Sequence, residues 1–177
     1  MSAPQIPEPA CLVISVLSPR PDTLSIITPA LQDEFGTVED IIGPLGFDYT
    51  DYYDAELGTG IVRNLLVFSE LIDRNRLCEA KLITNNLENL HMINGARTFN
   101  LDPGLMTMGN FVLATGKNNA HRIYLDKGIF ADLTLIFRRG SFRPLEWTYP
   151  DYSDENMLKI LNDIREKYKC KLVASSQ

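Results

Sequence analysis

Basic charge, cysteine and histidine are all scarce in this 177-residue chain, and each scarcity removes a class of function. Lys and Arg number 17 against 23 Asp and Glu, for a formal net charge of −6. Coating nucleic acid or anionic membrane requires a basic footprint, so neither is expected as a partner. The nearest approach to a basic cluster, Arg138, Arg139 and Arg143, flanks a Gly140-Ser141 turn signal and reads as the solvated end of a hairpin. Cys11, Cys78 and Cys170 lie far apart with no metal-ligand spacing, and read as small buried apolar residues in a reducing compartment. With only His91 and His121 and no cysteine pair, no structural zinc site is expected. No apolar run approaches the ~20 residues of a membrane-spanning helix. The N-terminus lacks both the basic region and the apolar length of a signal peptide, so a cytoplasmic address is expected.

Two familiar nucleotide loops are also missing. Gly109 to Lys117 ends in Gly-Lys, but six residues stand where the phosphate-binding loop has four, and Asn118 replaces its Ser or Thr. Gly58-Thr59-Gly60 precedes a strand rather than joining a strand to a helix, so it is no dinucleotide fingerprint. The acidic set Asp48, Asp51, Asp54 and Glu56 has oxygen ligands suited to magnesium, yet reads first as a solvated loop. No metal-ligating set is assigned, and no cofactor can be named from the residues.

A composition of 45% hydrophobic and 23% charged residues suits a single globular domain, expected over 11–173 behind a flexible leader, 1–10, punctuated by Pro4, Pro7 and Pro9. Leu12 to Leu17 reads as a buried strand. A helix follows, capped by Asp22, with Leu24, Ile27, Leu31 and Phe35 on one face and Gly36 as its stop. Val38 to Phe47 is a weaker strand broken by Gly43-Pro44, and Ile61 to Leu71 is an interior one. A second helix from about Arg74 to Met92 carries a stripe of Ala80, Ile83, Leu87 and Leu90, and Arg97 to Leu101 is a short strand ended by Asp102-Pro103-Gly104. This order gives an α+β fold with a ferredoxin-like βαββαβ core.

The remainder predicts additional antiparallel strands over Asn110 to Thr115, His121 to Leu125 and Ile129 to Phe137, then a C-terminal helix. In the last strand Ile129, Ala131, Leu133, Leu135 and Phe137 share a face, with Asp132 and Thr134 on the other. Ser153 is the expected cap of the helix, Met157, Leu161, Ile164 and Tyr168 its inward face, and Lys167 and Lys169 its last turn.

Charged residues woven through apolar segments mark the candidate site. Between Gly95 and Leu125 stand Arg97, Asp102, Lys117, His121 and Arg122, and buried charges need partners or a ligand. Glu56 is placed to pair with Arg63 or Arg97. The aromatic run Trp147-Thr148-Tyr149-Pro150-Asp151-Tyr152, with Tyr49, Tyr52 and Tyr53, can line a pocket wall or plug the end of the sheet.

Five ordered motifs, FDYTDYYDAELG (Phe47 to Gly58), NLDPG (Asn100 to Gly104), LATGK (Leu113 to Lys117), HRIYL (His121 to Leu125) and WTYPDY (Trp147 to Tyr152), give a chain that resembles a family of small prokaryotic proteins catalogued as a domain of unknown function, DUF4416. The resemblance implies little chemistry. A GTP-binding label carried by some members is not transferred, because the recognised guanine-nucleotide motifs are missing. It singles out Thr50, Tyr53, Glu56, Arg63, Lys81, Asn85, Arg97, Asp102, Lys117, His121 and Arg122 as the polar positions of interest. Leu105 departs from an aromatic, and Gly116 from a threonine that would have given the turn a hydroxyl for an anion.

The expected function is therefore binding of a small anionic ligand, phosphorylated compounds being one class of it, with Arg97, Lys117, Arg122, Arg63, Glu56 and Tyr53 as binding residues. No motif decides whether the chain is an enzyme. In a catalytic version His121 is the acid/base and Asp102 orients it, while Lys117 and Arg122 stabilise charge. The alternative is a non-enzymatic protein-interaction or assembly module, meeting a homo-oligomeric or other protein partner through exposed aromatics or a sheet edge.

Overall fold

A computed structural model of the chain describes residues 2–175, so Met1 of the expected leader lies outside the described residues. Nine consecutive buried residues, Ala10–Ser18, form β1 at the heart of an eight-stranded antiparallel sheet. A strand covered on both faces needs apolar side chains at every position, which is why this run does not alternate in character. Leu12, Ile14 and Val16 enter one core with Ile27, Leu31 and Phe35 of α1 (Thr23–Phe35); Cys11 and Val13 enter the opposite core. Asp22 stands at the expected cap of α1 but makes no capping hydrogen bond, because Arg20 engages its carboxylate at 3.0 Å.

β2 (Val38–Gly46), β3 (Val62–Ile72) and β4 (Asn100–Met106) complete the spatial order β2-β3-β1-β4. That order, with α1 and α3 (Leu77–Leu90) between the strands, is compatible with the expected ferredoxin-like core. The Gly43-Pro44 step coincides with a shift in β2–β3 register between Ile42 and Leu45. A 3-10 turn, Arg74–Arg76, leads into α3. The predicted α3 stripe needs one correction: Leu90 is 71% exposed. The inward row runs Ala80, Thr84 and Leu87, then His91 against Phe99, with Lys81 and Glu88 also turned inward.

Asp102-Pro103-Gly104 does not end β4. The strand runs through it, with Pro103 opposite Ile14 of β1. On its other side the ladder with β5 (Asn110–Thr115) begins only at Gly104, so the N–H that proline lacks costs no bond there. Gly104 is required by close packing: a Cβ would fall 2.6 Å from Phe111 Cζ and 2.9 Å from Leu113 Cδ2.

Beyond β5 the sheet continues through β7 (Ile129–Arg138) to β6 (Arg122–Asp126), with β8 (Ser141–Pro144) pairing β7 through the turn at Arg139-Gly140. The expected single apolar face of β7 is broken. Register shifts between Phe111 and Val112 of β5, as in a bulge, so Ile129 and Ala131 pack in the first core while Leu135 and Phe137 pack in the second.

Over the second core lie α4 (Pro150–Ser153) and α5 (Glu155–Ser175), with Met157, Leu161, Ile164 and Tyr168 inward as predicted. The cap of α5 is Asp154 rather than Ser153; its Oδ1 accepts from the Asn156 and Met157 amides at 2.9 and 3.3 Å, while Ser153 donates back to Tyr149. Because α5 extends to Ser175, Lys167 and Lys169 precede its last turn. Cys11 and Cys78 are buried as expected, whereas Cys170 is exposed. Among the described residues no helix is long and apolar enough to cross a membrane.

Candidate ligand-binding site

The site begins where the sheet parts. Asn100 to Pro103 of β4 have no partner on β5, and the end of β5 follows β7 instead. A cavity of about 690 Å³ occupies this region. Its lining includes Asn100 and Asp102 from β4, Thr115 to Lys117 after β5, Arg122 of β6, Asp132 of β7 and Arg63 of β3. Lys81 and Asn85 project from α3, one helical turn apart. Phe47, Tyr49, Tyr52, Tyr53, Tyr149 and Tyr152 supply aromatic walls from the connection after β2, which carries α2 (Asp54–Leu57), and from the segment around α4. Leu57, Phe47 and Ile61 pack on Leu17, which anchors that connection against the end of β1.

Charges around the cavity are held in pairs. Arg63, 4% exposed, donates from Nη2 to Asp151 Oδ2 and lies between the rings of Phe47 and Tyr152, each centroid 4.9 Å from its Cζ. Its Nε is buried with no partner. Burial works against the Arg63 charge, but Tyr152 and Asp151 outweigh it and raise its pKa. Lys81 donates to the Leu101 carbonyl at 2.7 Å and to Asp102 Oδ1 at 2.9 Å. Asn100 donates to Asp102 Oδ2 at 2.8 Å and accepts from Arg97 Nη1 at 2.7 Å. Arg97 forks onto Glu56 at 2.7 and 2.6 Å and reaches Glu88 at 3.2 Å. Glu56 and Glu88 stand outside the lining, so the carboxylate partners of Arg97 lie behind it.

Burial pushes the Asp102 pKa up, but the Lys81 ammonium and the hydrogen bonds from Lys81 and Asn100 pull it below its ordinary value. A carboxylate depressed in the folded state contributes stability that is complete above its unfolded pKa, about 3.9, and is lost as pH falls through the native value. Asp102→Asn is therefore expected to melt below the wild type at pH 7 and to converge on it as the pH drops below about 4. Thermal unfolding of both proteins across pH 2 to 7 checks this; parallel curves would refute the coupling.

At the other end Arg122, 7% exposed, donates to Asp132 at 2.8 Å, to the Lys117 carbonyl at 3.0 Å and to the Tyr149 hydroxyl at 3.2 Å. His121 stacks on Trp147 with 5.2 Å between centroids, and its Nε2 lies 3.4 Å from Asp132 without a hydrogen bond. Lys117 is exposed at the rim, 3.1 Å from the Tyr52 hydroxyl and 4.5 Å above that ring. Among the described residues no carboxylate pairs with it.

Of the residues singled out from sequence, Arg97, Lys117, Arg122, Arg63, Tyr53 and Asp102 meet at one cavity. Glu56 reaches it through Arg97, the second of its two expected partners. His121 does not line it, and the histidine and Asp102 have different partners, Asp132 for the one and Lys81 with Asn100 for the other. Sequence reasoning missed Asp132, Asp151 and Asn100. For Asp132 a signal existed, a carboxylate in the middle of an apolar strand, whereas Asp151 lay inside an aromatic motif read only for its rings. Among the described residues no group of three or more His, Cys, Asp or Glu is arranged to hold a metal ion.

A family model described as a domain of unknown function, DUF4416, matches residues 8–168. No curated protein and no solved structure matches the chain.

Proposed function

Because the chain belongs to the DUF4416 family, whose description assigns no activity, we propose from the site alone that its cavity binds a small anionic, phosphorylated ligand. The observation that carries this reading is a local reversal of charge. The chain is acidic overall, yet the lining presents Arg63, Lys81, Arg97, Lys117 and Arg122 against only Asp102, Asp132 and Asp151. A concave, partly apolar wall focuses such a field on whatever enters. The volume falls within the roughly 300 to 1,000 Å³ common for small-molecule sites.

Lys117 is the contact for the anion, since among the described residues no carboxylate neutralises its ammonium, whereas Arg122 is paired with Asp132 and Arg97 with Glu56 and Glu88. Tyr53 joins the aromatic wall, its ring edge-on to those of Phe47 and Tyr52. For catalysis His121 is the candidate acid/base, standing outside the lining 3.4 Å from Asp132, and the role of Asp102 is then to position Lys81. Binding is the reading that the geometry supports.

Thermal unfolding against inorganic phosphate, sugar phosphates, nucleotides and small carboxylates tests it. At 100-fold above its dissociation constant a ligand adds about 2.7 kcal/mol, or roughly 5 to 10 °C for a chain of this size. Lys117→Ala is expected to abolish the shift while leaving the melting temperature of the free protein unchanged, because the side chain is exposed. A panel without any shift would reject the reading.

One observation favours the alternative. β6 ends the sheet path, and its Ile123, Tyr124 and Leu125 are 68%, 58% and 39% exposed. An apolar sheet edge of this kind suits strand addition by a partner chain. Concentration-dependent light scattering that Ile123→Lys abolishes would support an assembly module.

A further inference from the structure

We propose that the ligand of this cavity is a phosphorylated polyol, a sugar phosphate whose phosphate sits on Lys117 and whose hydroxyls meet the ion pairs deeper in. The inference rests on the anion-binding reading and specifies the rest of the molecule. Three cations of the lining face the cavity already neutralised: Arg63 by Asp151, Lys81 by Asp102 and Arg122 by Asp132. A second anionic group on the ligand would find a carboxylate beside each of these cations, and the repulsion would offset the attraction. A plain hydrocarbon body would cover these polar groups and give them no hydrogen bonds in return. A hydroxyl both donates and accepts, so one oxygen can accept from the cation and donate to the carboxylate of the same pair.

Unused hydrogen-bonding capacity lies where such hydroxyls would sit. Among the described residues the Arg63 guanidinium makes one hydrogen bond, from Nη2 to Asp151, which leaves the Nη1 N–H donors of this cavity-lining side chain unbonded. Asn85 lines the cavity one turn beyond Lys81, and among the described residues its amide makes no side-chain hydrogen bond. An amide carries donors and an acceptor together, which again matches a hydroxyl. Flat rings complete the fit: Tyr49 and Tyr149, 43% and 50% exposed, line the cavity and offer surfaces for the C–H side of a polyol. The resulting division is one uncompensated charge at the mouth and neutral donor–acceptor groups within.

Calorimetric titration of the full chain with hexose, pentose and alditol phosphates, with n-hexyl phosphate and inorganic phosphate as probes lacking hydroxylated carbon, is the test. The best polyol phosphate is expected to bind at least about tenfold tighter than hexyl phosphate, since a site built around hydroxyls discriminates strongly against analogues without them. Asn85→Ala should remove most of that preference and leave inorganic phosphate unaffected, whereas Lys117→Ala should weaken every phosphate alike. If hexyl phosphate binds as tightly as each polyol phosphate, or if Asn85→Ala weakens both equally, the polyol assignment is overturned while anion binding stands. If no phosphate binds at all, both fall.

Discussion

Asp151→Ala is expected to cost about 3 to 5 kcal/mol of stability, the penalty typical of removing one partner from a buried ion pair. Arg63 is the second residue of β3 and 4% exposed, and among the described residues Asp151 is the one hydrogen-bonding partner of its guanidinium. Without that carboxylate the guanidinium stays buried between two rings, and the rings alone cannot replace a charge-assisted hydrogen bond. Urea unfolding followed by circular dichroism measures the loss. The double variant Arg63→Met with Asp151→Leu should regain most of it, because well-packed apolar residues often replace a buried pair at little cost. A penalty below about 1 kcal/mol for Asp151→Ala would show that water solvates the guanidinium and that the pair is no structural element.

Phe111→Ala is expected to cost a similar amount, about 3 to 5 kcal/mol, with a fall in melting temperature of roughly 10 °C. The ring is 1% exposed, packs 5.9 Å from Tyr152, and covers the backbone of Gly104 so closely that no Cβ fits there. Its removal leaves a void that β4 and β5, held by their ladder, cannot collapse to fill. Gly104→Ala tests the same contact from the other side. Alone it should destabilise through overlap with Phe111, while combined with Phe111→Ala the new methyl group enters the vacated space, so the two penalties should fall short of additivity. Additive losses in denaturant titrations would contradict this geometry.

Most elements were legible in the sequence because their signals are local. The apolar run of β1, the spacing of Ile27, Leu31 and Phe35, the glycine after α1 and the inward face of α5 each express a periodicity that a strand or helix requires by itself. The errors share a cause as well. Asp102-Pro103-Gly104 has the composition of a turn, and only the absence of β5 beside Pro103 makes a continuous strand affordable there. Strict alternation along β7 could not foresee the register shift opposite Val112, since a bulge is a property of two strands.

The candidate site divides in the same way. Sequence by itself determined the α+β class, the order of elements and a set of polar residues too costly to bury alone, because burial cost and periodicity are properties of a residue and its neighbours in the chain. Partner choice was left to the tertiary structure. Arg63 meets Asp151 across 88 residues and Arg97 meets Glu56 across 41, while Asp132, read as merely the other face of a strand, accepts from Arg122 and has His121 Nε2 3.4 Å away without a hydrogen bond. Several carboxylates could have answered each cation, and a Coulombic attraction carries no sequence address. The strand order and the gap between β4 and β5 bring particular pairs within hydrogen-bonding distance and, among the described residues, leave Lys117 as the cation of the lining without a carboxylate.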